Sequence, residues 1–432
     1  MQNKPGSPVR YALDEWPPLG KAILFGVQWA AIAVPSIIIL GHVVASLDFA
    51  EPIRQTPYLQ KLFVLSAVTT LVQVLAGHRL PLVAGPATVL LIAVIASRSF
   101  PPDEIYTSVG IGGGMLAVLA LTGLFAQVRK LFTDRVIATV LLLIALTLTP
   151  MILRLLVAQE SGIPPLWNLL FGLALIIGMF VFHRWLPGIW KSTLVVWTMV
   201  LSSLLYLLLF PTATRLTFRA GAWMSFDFLA DVNPRPGLNV GVLFSFLVCY
   251  IALAVNDLGS IQSMNRLLDL QDTDRRIFRG ITVTGILNVL AGCLGVVGPV
   301  DYSLSPGVVT ATGCASRYTL IPAVVIIAMI GLSPSMISFL GGVPSVVVGC
   351  VLLYILTSQI AAGLSVAVQG KVFQFEDGLV IGLPVLLGTI IAFLPADVLD
   401  SFPMVLKPLL GNGFVVGTVT AFVLDRAVFP SH

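Results

Sequence analysis

Asp257 follows Asn256 near the end of a long apolar run, and Asp301 lies in the equally apolar stretch GPVDYSLSPGVVTATG, residues 298–313. A carboxylate at mid-membrane depth costs about 2.5–3.5 kcal/mol on insertion scales, so such residues face a cavity or a partner. Leaving water disfavours a carboxyl's charged form, which brings proton exchange within reach. Asp257 and Asp301 are therefore the proton-coupling candidates. For Asp257 the competing reading is a cap at the cytoplasmic end of its span; for Asp301 it is exposure on the outer aqueous side. Asn256 and Gln28 each donate and accept hydrogen bonds without titrating, which suits a polar ligand carrying both kinds of group. Ser303 and Ser305 offer hydroxyls and, with Leu304, backbone groups; Ala87 and Thr88 are their counterparts in the first half of the chain. His42, His78 and His183 read as loop or span-end residues and not as a proton relay. A serine–histidine pairing, paired metal-ligand motifs and HExxH are absent from the sequence, so neither an enzyme nor a metal or cofactor is expected. The four cysteines (Cys249, Cys293, Cys314, Cys350) lie singly in apolar stretches and read as small buried residues.

The elements that position these groups are membrane spans. Of 432 residues, 57% are hydrophobic and 10% charged, against roughly a quarter charged in soluble domains. Apolar runs long enough to cross about 30 Å of hydrocarbon recur along the chain. They are predicted over 22–46, 60–76, 82–98, 108–127, 136–157, 166–183, 189–210, 239–256, 278–297, 301–313, 319–332, 342–363, 378–394 and 408–429, fourteen in all. With the N-terminus inside, sixteen Lys and Arg fall in cytoplasmic segments and eight in outer ones, as the positive-inside rule requires. Both termini are then cytoplasmic. The polar segment 1–21 lacks a signal-peptide layout, so the first span is expected to stay. In RLLDLQDTDRRIFR, residues 266–279, the arginines alternate with Asp269, Asp272 and Asp274. That pattern reads as a solvated loop and not as a nucleic-acid patch.

The chain also repeats itself. VTTLVQVLAG at 68–77 matches VTGILNVLAG at 283–292, an offset of 215, almost half the chain. Each copy is followed by a Gly-Pro-small triplet, Gly85-Pro86-Ala87 and Gly298-Pro299-Val300. Seven spans per half is an odd number, so the second copy runs through the membrane inverted. The spans at 82–98 and 301–313 are imperfect as helices, with Gly85, Pro86, Pro306 and Gly307 as backbone breaks. Irregular backbone at membrane depth is tolerated only where protein or a water-filled cavity surrounds it. Interrupted spans in matching positions of two halves point to a transporter's substrate site.

Along nearly its whole length the chain resembles the nucleobase–ascorbate transporters, which include bacterial uracil and xanthine permeases. The resemblance runs through YALDEWPPLGKAILFGVQWAAIAVPSII at the start, HRLPLVAGPATVLLIAV in span 3 and LFTDRVIATVLLLIALTL in span 5. It continues through NDLGSIQSMNRLLDL and FRGITVTGILNVLAGCLG in spans 8 and 9, and KPLLGNGFVVGTVTAFVL in the last. It implies an all-α polytopic protein of 7+7 inverted repeats, with short strands in spans 3 and 10 that meet near the midplane. The implied domains are a core (22–127 and 239–332), a gate (136–210 and 342–429) and a central outer loop at 211–238. The span-10 signature is Gln, Glu or Pro, then Asn, any residue, Gly, four more, Thr, then Arg, Lys or Gly. LSPGVVTATG keeps Gly307, Thr312 and Gly313, but has Leu304 in the first place and Ser305 for Asn. Asn256 stands where the family usually has Glu, and Trp29 where a His follows Gln28.

The resemblance implies a transporter of a nucleobase such as uracil or xanthine, coupled to protons, in the inner membrane of a bacterium and as a homodimer. The alternatives on the same fold are an anion carrier of the sulfate-permease type, favoured by two half-helix N-termini, and an uncoupled nucleobase facilitator. A non-transporting receptor or scaffold is the reading from another class.

Overall fold

The computed structural model describes residues 10–49, 52–125, 127, 132–158, 163–211, 222–229, 236–368, 373–403 and 406–430. The predicted outer loop at 211–238 and the N-terminal segment lie partly outside these described residues. Helices dominate, as they must where no water satisfies the backbone. The first half holds α1 (Leu19–Asp48), α2 (Pro52–Leu75), strand β1 (Ala84–Pro86) leading into α3 (Thr88–Ala96), and α4 (Pro102–Leu121). It continues with α5 (Asp134–Thr147), α6 (Thr149–Leu156), α7 (Pro165–Trp185), α8 (Gly188–Ser192) and α9 (Leu194–Leu209). The second half begins with α10 (Val240–Leu267), α11 (Thr273–Leu294), strand β2 (Pro299–Asp301) leading into α12 (Ser305–Thr312), and α13 (Leu320–Leu332). Then come α14 (Pro334–Gly341), α15 (Ser345–Ala367), α16 (Phe375–Ala392), α17 (Ala396–Asp400), α18 (Lys407–Leu410) and α19 (Gly413–Val423).

Among the described residues nine helices are long and apolar enough to cross a membrane, or ten if α13 and α14, bent by 90°, count as one span. Each of the fourteen predicted segments overlaps a helix or a strand–helix unit. The eighth is predicted over 239–256, yet α10 continues to Leu267, so Asp257 lies within the helix and not at its end. Hydropathy falls there because the helix turns polar toward other protein, not because it stops. Local sequence sets the helix ends. Asn239 and Asn412 cap α10 and α19 by accepting from backbone N–H groups two and three residues on. Gly295 and Gly313, at φ 67° and 65°, end α11 and α12 in the left-handed conformation that glycine adopts without strain.

Packing follows the repeat. α4 packs on α11 and α13 on α2, and α10 packs on α4 as α1 does on α13; exchanging the halves maps each pair onto the other. A second set is formed by α5, α15, α16 and α19, with α7 and α9 against α15. Between the two sets, β1 and β2 pair antiparallel, with Ala84 opposite Asp301, Gly85 opposite Val300 and Pro86 opposite Pro299. The sequence repeat aligns Pro86 with Pro299, so the pseudo-two-fold axis passes between them. Proline cannot donate to a ladder, which a two-stranded sheet made only of edges tolerates.

Candidate functional site

A cavity of about 210 Å³ opens beside the strand crossing. It is bounded by Ser36, Ile39 and Leu40 of α1, the start of α3, Asn256 of α10, and Val300, Tyr302, Ser303 and Leu304. Ile144 of α5 and Leu352, Ile355, Ser358 and Gln359 of α15 close the far wall. Among the described lining residues there is no Asp, Glu, Lys, Arg or His. The lining is mainly apolar, with a few uncharged polar groups.

Five of the predicted binding residues meet here: Ala87, Thr88, Asn256, Ser303 and Leu304. Extended backbone at Ala87 gives way to α3 at Thr88, and the Ala87 N–H reaches the Gly298 carbonyl at 2.9 Å, tying the two halves together. Asn256 donates from Nδ2 to the Asp301 carbonyl at 3.2 Å and accepts from the Ser303 hydroxyl at 3.1 Å. Ser260 completes the arrangement, within 2.8 Å of the Ser303 hydroxyl and 3.3 Å of the Asp301 carbonyl. The Asn256 amide is thus oriented by α10 and β2 together and faces the cavity with fixed polarity.

Three predicted binding residues lie elsewhere. Gln28, 7% exposed, sits on α1 more than two turns from Ser36 and outside the cavity wall. Ser305 is fully buried behind the crossing, where its Oγ accepts from the Val83 N–H at 3.3 Å and pins the lead-in to β1. Asp257 is fully buried and faces away from the cavity. Its Oδ1 accepts the Asp301 N–H at 2.9 Å and its Oδ2 the Thr284 hydroxyl at 2.5 Å. It caps no helix end; it holds β2 against α10 and α11.

Asp301 neither lines the cavity nor faces an aqueous side. Its side chain is buried against His78, with Oδ2 3.3 Å from the imidazole Nε2. His78 does lie in the loop after α2, as expected, but it is fully buried and carboxylate-paired, which a loop histidine in water would not be. Trp29, in place of the family histidine, donates from Nε1 to Thr319 at 3.1 Å and ties α1 to the entry of α13. Of the backbone breaks, Gly85 has a steric reason: a Cβ there would overlap the Tyr302 hydroxyl. Pro306 stands in the first turn of α12, where its missing N–H costs nothing.

Ser36, Tyr302, Ser358 and Gln359 line the site without having been singled out as binding residues. The polar triplet Thr357-Ser358-Gln359 interrupts an otherwise apolar span, which was the available signal. Nothing local to α1 distinguishes Ser36, although Pro35 before it withholds the N–H that the carbonyl at 31 would otherwise accept.

The comparisons agree with this architecture. The transmembrane domain of a cyanobacterial bicarbonate transporter, BicA, superposes with a TM-score of 0.63 at 16% identity, covering 89% of this chain and 98% of that one. The murine anion transporter Slc26a9 in its inward-facing state gives 0.55 at 14% identity, covering 94% and 68%. These likenesses concern the fold. In sequence, a Clostridium perfringens protein described as a purine permease is 22% identical, covering 97% of this chain and 92% of its own. A xanthine permease of Bacillus subtilis is 23% identical (94% and 93%), and a uric acid permease of the same organism 24% (86% and 85%). The model of the permease family Xan_ur_permease matches residues 20–397, and this integral membrane protein belongs to that family.

Proposed function

We propose that the protein carries a nucleobase such as xanthine or uracil across the bacterial inner membrane, in symport with protons. The observation that carries the reading is the uncharged, mainly apolar cavity at the strand crossing, with the Asn256 amide fixed in its wall. A nucleobase presents adjacent N–H and C=O groups on a flat, largely apolar ring. The amide of Asn256, the Ser303 hydroxyl and the Gln359 amide supply donors and acceptors to such an edge, and Ile144, Leu352 and Ile355 supply apolar walls. The purine, xanthine and uric acid permeases among the relatives support the same substrate class.

In this proposal the two strand–helix units count as spans 3 and 10 of fourteen, and both termini are cytoplasmic. Spans 1–4 and 8–11 form a core domain, and 5–7 and 12–14 a gate domain. The cavity wall is shared between them, so movement of one set against the other would expose the site to either side in turn. The protein would work as a homodimer in the bilayer. The coupling acids are Asp257 and Asp301, behind the strands and out of contact with the substrate.

An anion as substrate would need compensating charge. The cavity lining has no cation. At α12 the N–H groups of Ser305 and Gly307 are already bonded to the Tyr302 and Leu304 carbonyls, and Pro306 has none. Only one of the two half-helix N-termini is then well placed to attract an anion.

Uptake of labelled xanthine and uracil into proteoliposomes tests the reading, with the outside made acidic and with sulfate and bicarbonate as competitors. Gradient-driven accumulation of a base, indifferent to the anions, is the expected result. Equilibration without accumulation would leave a facilitator, and flux of the anions alone would overturn the substrate class.

A further inference from the structure

Two aspartates lie side by side behind the strand crossing, and their surroundings differ in kind. Both oxygens of Asp257 accept hydrogen bonds, from the Asp301 N–H and from Thr284. Thr284 donates to Asp257 Oδ2 and accepts from Gln73 Nε2 at 2.9 Å. Both oxygens of Asp257 are thus satisfied as acceptors. Those of Asp301 are not. Among the described residues neither of its carboxyl oxygens accepts a hydrogen bond, although the side chain is fully buried. His78 Nε2 lies 3.3 Å from its Oδ2.

His78 cannot neutralise Asp301 as a cation in this arrangement. Its Nδ1 accepts the Leu80 N–H at 2.9 Å, so that nitrogen carries no proton and the ring is the neutral tautomer with hydrogen on Nε2. The other charged group packed nearby is Arg276. Its guanidinium is engaged by the His78 and Arg79 carbonyls and by Asp272. With both aspartates ionised the enclosed cluster would hold two negative charges and no cation, which burial heavily penalises.

We infer that Asp301, paired with His78, is a proton-binding site of the protein, with Asp257 the fixed acceptor beside it. The proton rests on an Asp301 carboxyl oxygen, and the other oxygen faces the Nε2–H of His78. The same residue is also joined to the cavity wall through its backbone. The Asp301 carbonyl is the atom to which Asn256 and Ser260 donate, and both of these contact Ser303. Loss or gain of the proton therefore acts on the peptide that orients the Asn256 amide, without a titrating group in the substrate's path. The site itself stands on geometry alone, whereas its role in symport rests on the proposed function.

Infrared spectroscopy of the purified protein tests the site without substrate. The wild type is expected to show the C=O stretch of a protonated buried carboxyl, lost in Asp301→Asn, retained in Asp257→Asn and shifted in His78→Gln. Absence of the band in the wild type would overturn the inference whatever the variants do. So would a band lost in Asp257→Asn and kept in Asp301→Asn, or one that survives both. Xanthine binding and uptake are then measured on the same preparations. Asp301→Asn should bind xanthine and lose the acceleration by external acid. If the wild type neither binds nor moves a base, the proposed function fails while the spectrum still decides the proton site.

Discussion

Thr284→Val tests how the strand crossing is held. Valine keeps the shape of threonine and removes only the hydroxyl, so no cavity opens. The hydroxyl serves two neighbours, donating to Asp257 Oδ2 at 2.5 Å and accepting from Gln73 Nε2 at 2.9 Å. Gln73 is not orphaned by the change, because the same nitrogen also reaches the Gly280 carbonyl at 3.0 Å. Asp257 Oδ2 is. A hydrogen bond to a charged group contributes about 1.5–3 kcal/mol, and stranding a buried acceptor forfeits the full amount. The expected loss of stability is therefore about 2–3 kcal/mol. Thr284→Ser keeps the hydroxyl and loses one methyl, so its cost should stay near 1 kcal/mol. Thermal unfolding of the three proteins in one detergent reads the difference, with the serine variant close to wild type and the valine variant well below it. Equal midpoints for the two variants would refute the reasoning, since the methyl group and not the hydroxyl would then matter.

Asn256→Ala removes the oriented amide from the cavity wall and should weaken xanthine binding roughly ten- to hundredfold, at 1.4 kcal/mol per tenfold; an unchanged Kd by calorimetry would put the base elsewhere. Gly85→Ala drives a methyl into the Tyr302 hydroxyl; overpacking costs about 1–3 kcal/mol, and the KM for uptake should rise with it, partly recovered by adding Tyr302→Phe. Asp272, in the loop before α11, is held below the usual carboxylate range chiefly by its hydrogen bond from Arg276. A lowered value means that its stabilising contribution is present above the ordinary carboxylate range and lost as pH falls through it. Wild type and Asp272→Asn should therefore differ slightly in melting temperature at neutral pH and converge in acid, by a small margin because the side chain is half exposed.

The broken helices were legible because glycine and proline act locally. Gly85-Pro86 and Gly298-Pro299 fall at strand positions in both halves, as the repeat indicated. Asn256, Ser303, Leu304, Ala87 and Thr88 come together at the cavity beside the strand crossing, close to the breaks that the sequence marks. Gln28 lies outside the cavity because a helix of 30 residues passes it at one level only, and sequence position does not say which. Ser305 and Asp257 lie outside it for another reason. Each adjoins a lining residue in sequence, but neighbours on a helix point in different directions, and here those directions separate the cavity from the packed interior. His78 reads in the sequence as a loop residue, but its side chain is buried.

By itself the sequence determined the membrane setting, the inverted repeat and the level at which the backbone breaks, all properties of composition and of local chain chemistry. Only the tertiary structure decided which side of the strand crossing each polar group faces. Asp301 shows why: its carbonyl accepts from Asn256 of the cavity wall, and its carboxyl belongs to an enclosed cluster with His78 and Asp257, residues far from it in the chain. Alternation of faces along a strand is a local rule, but what waits on each face is set by the folding of other segments.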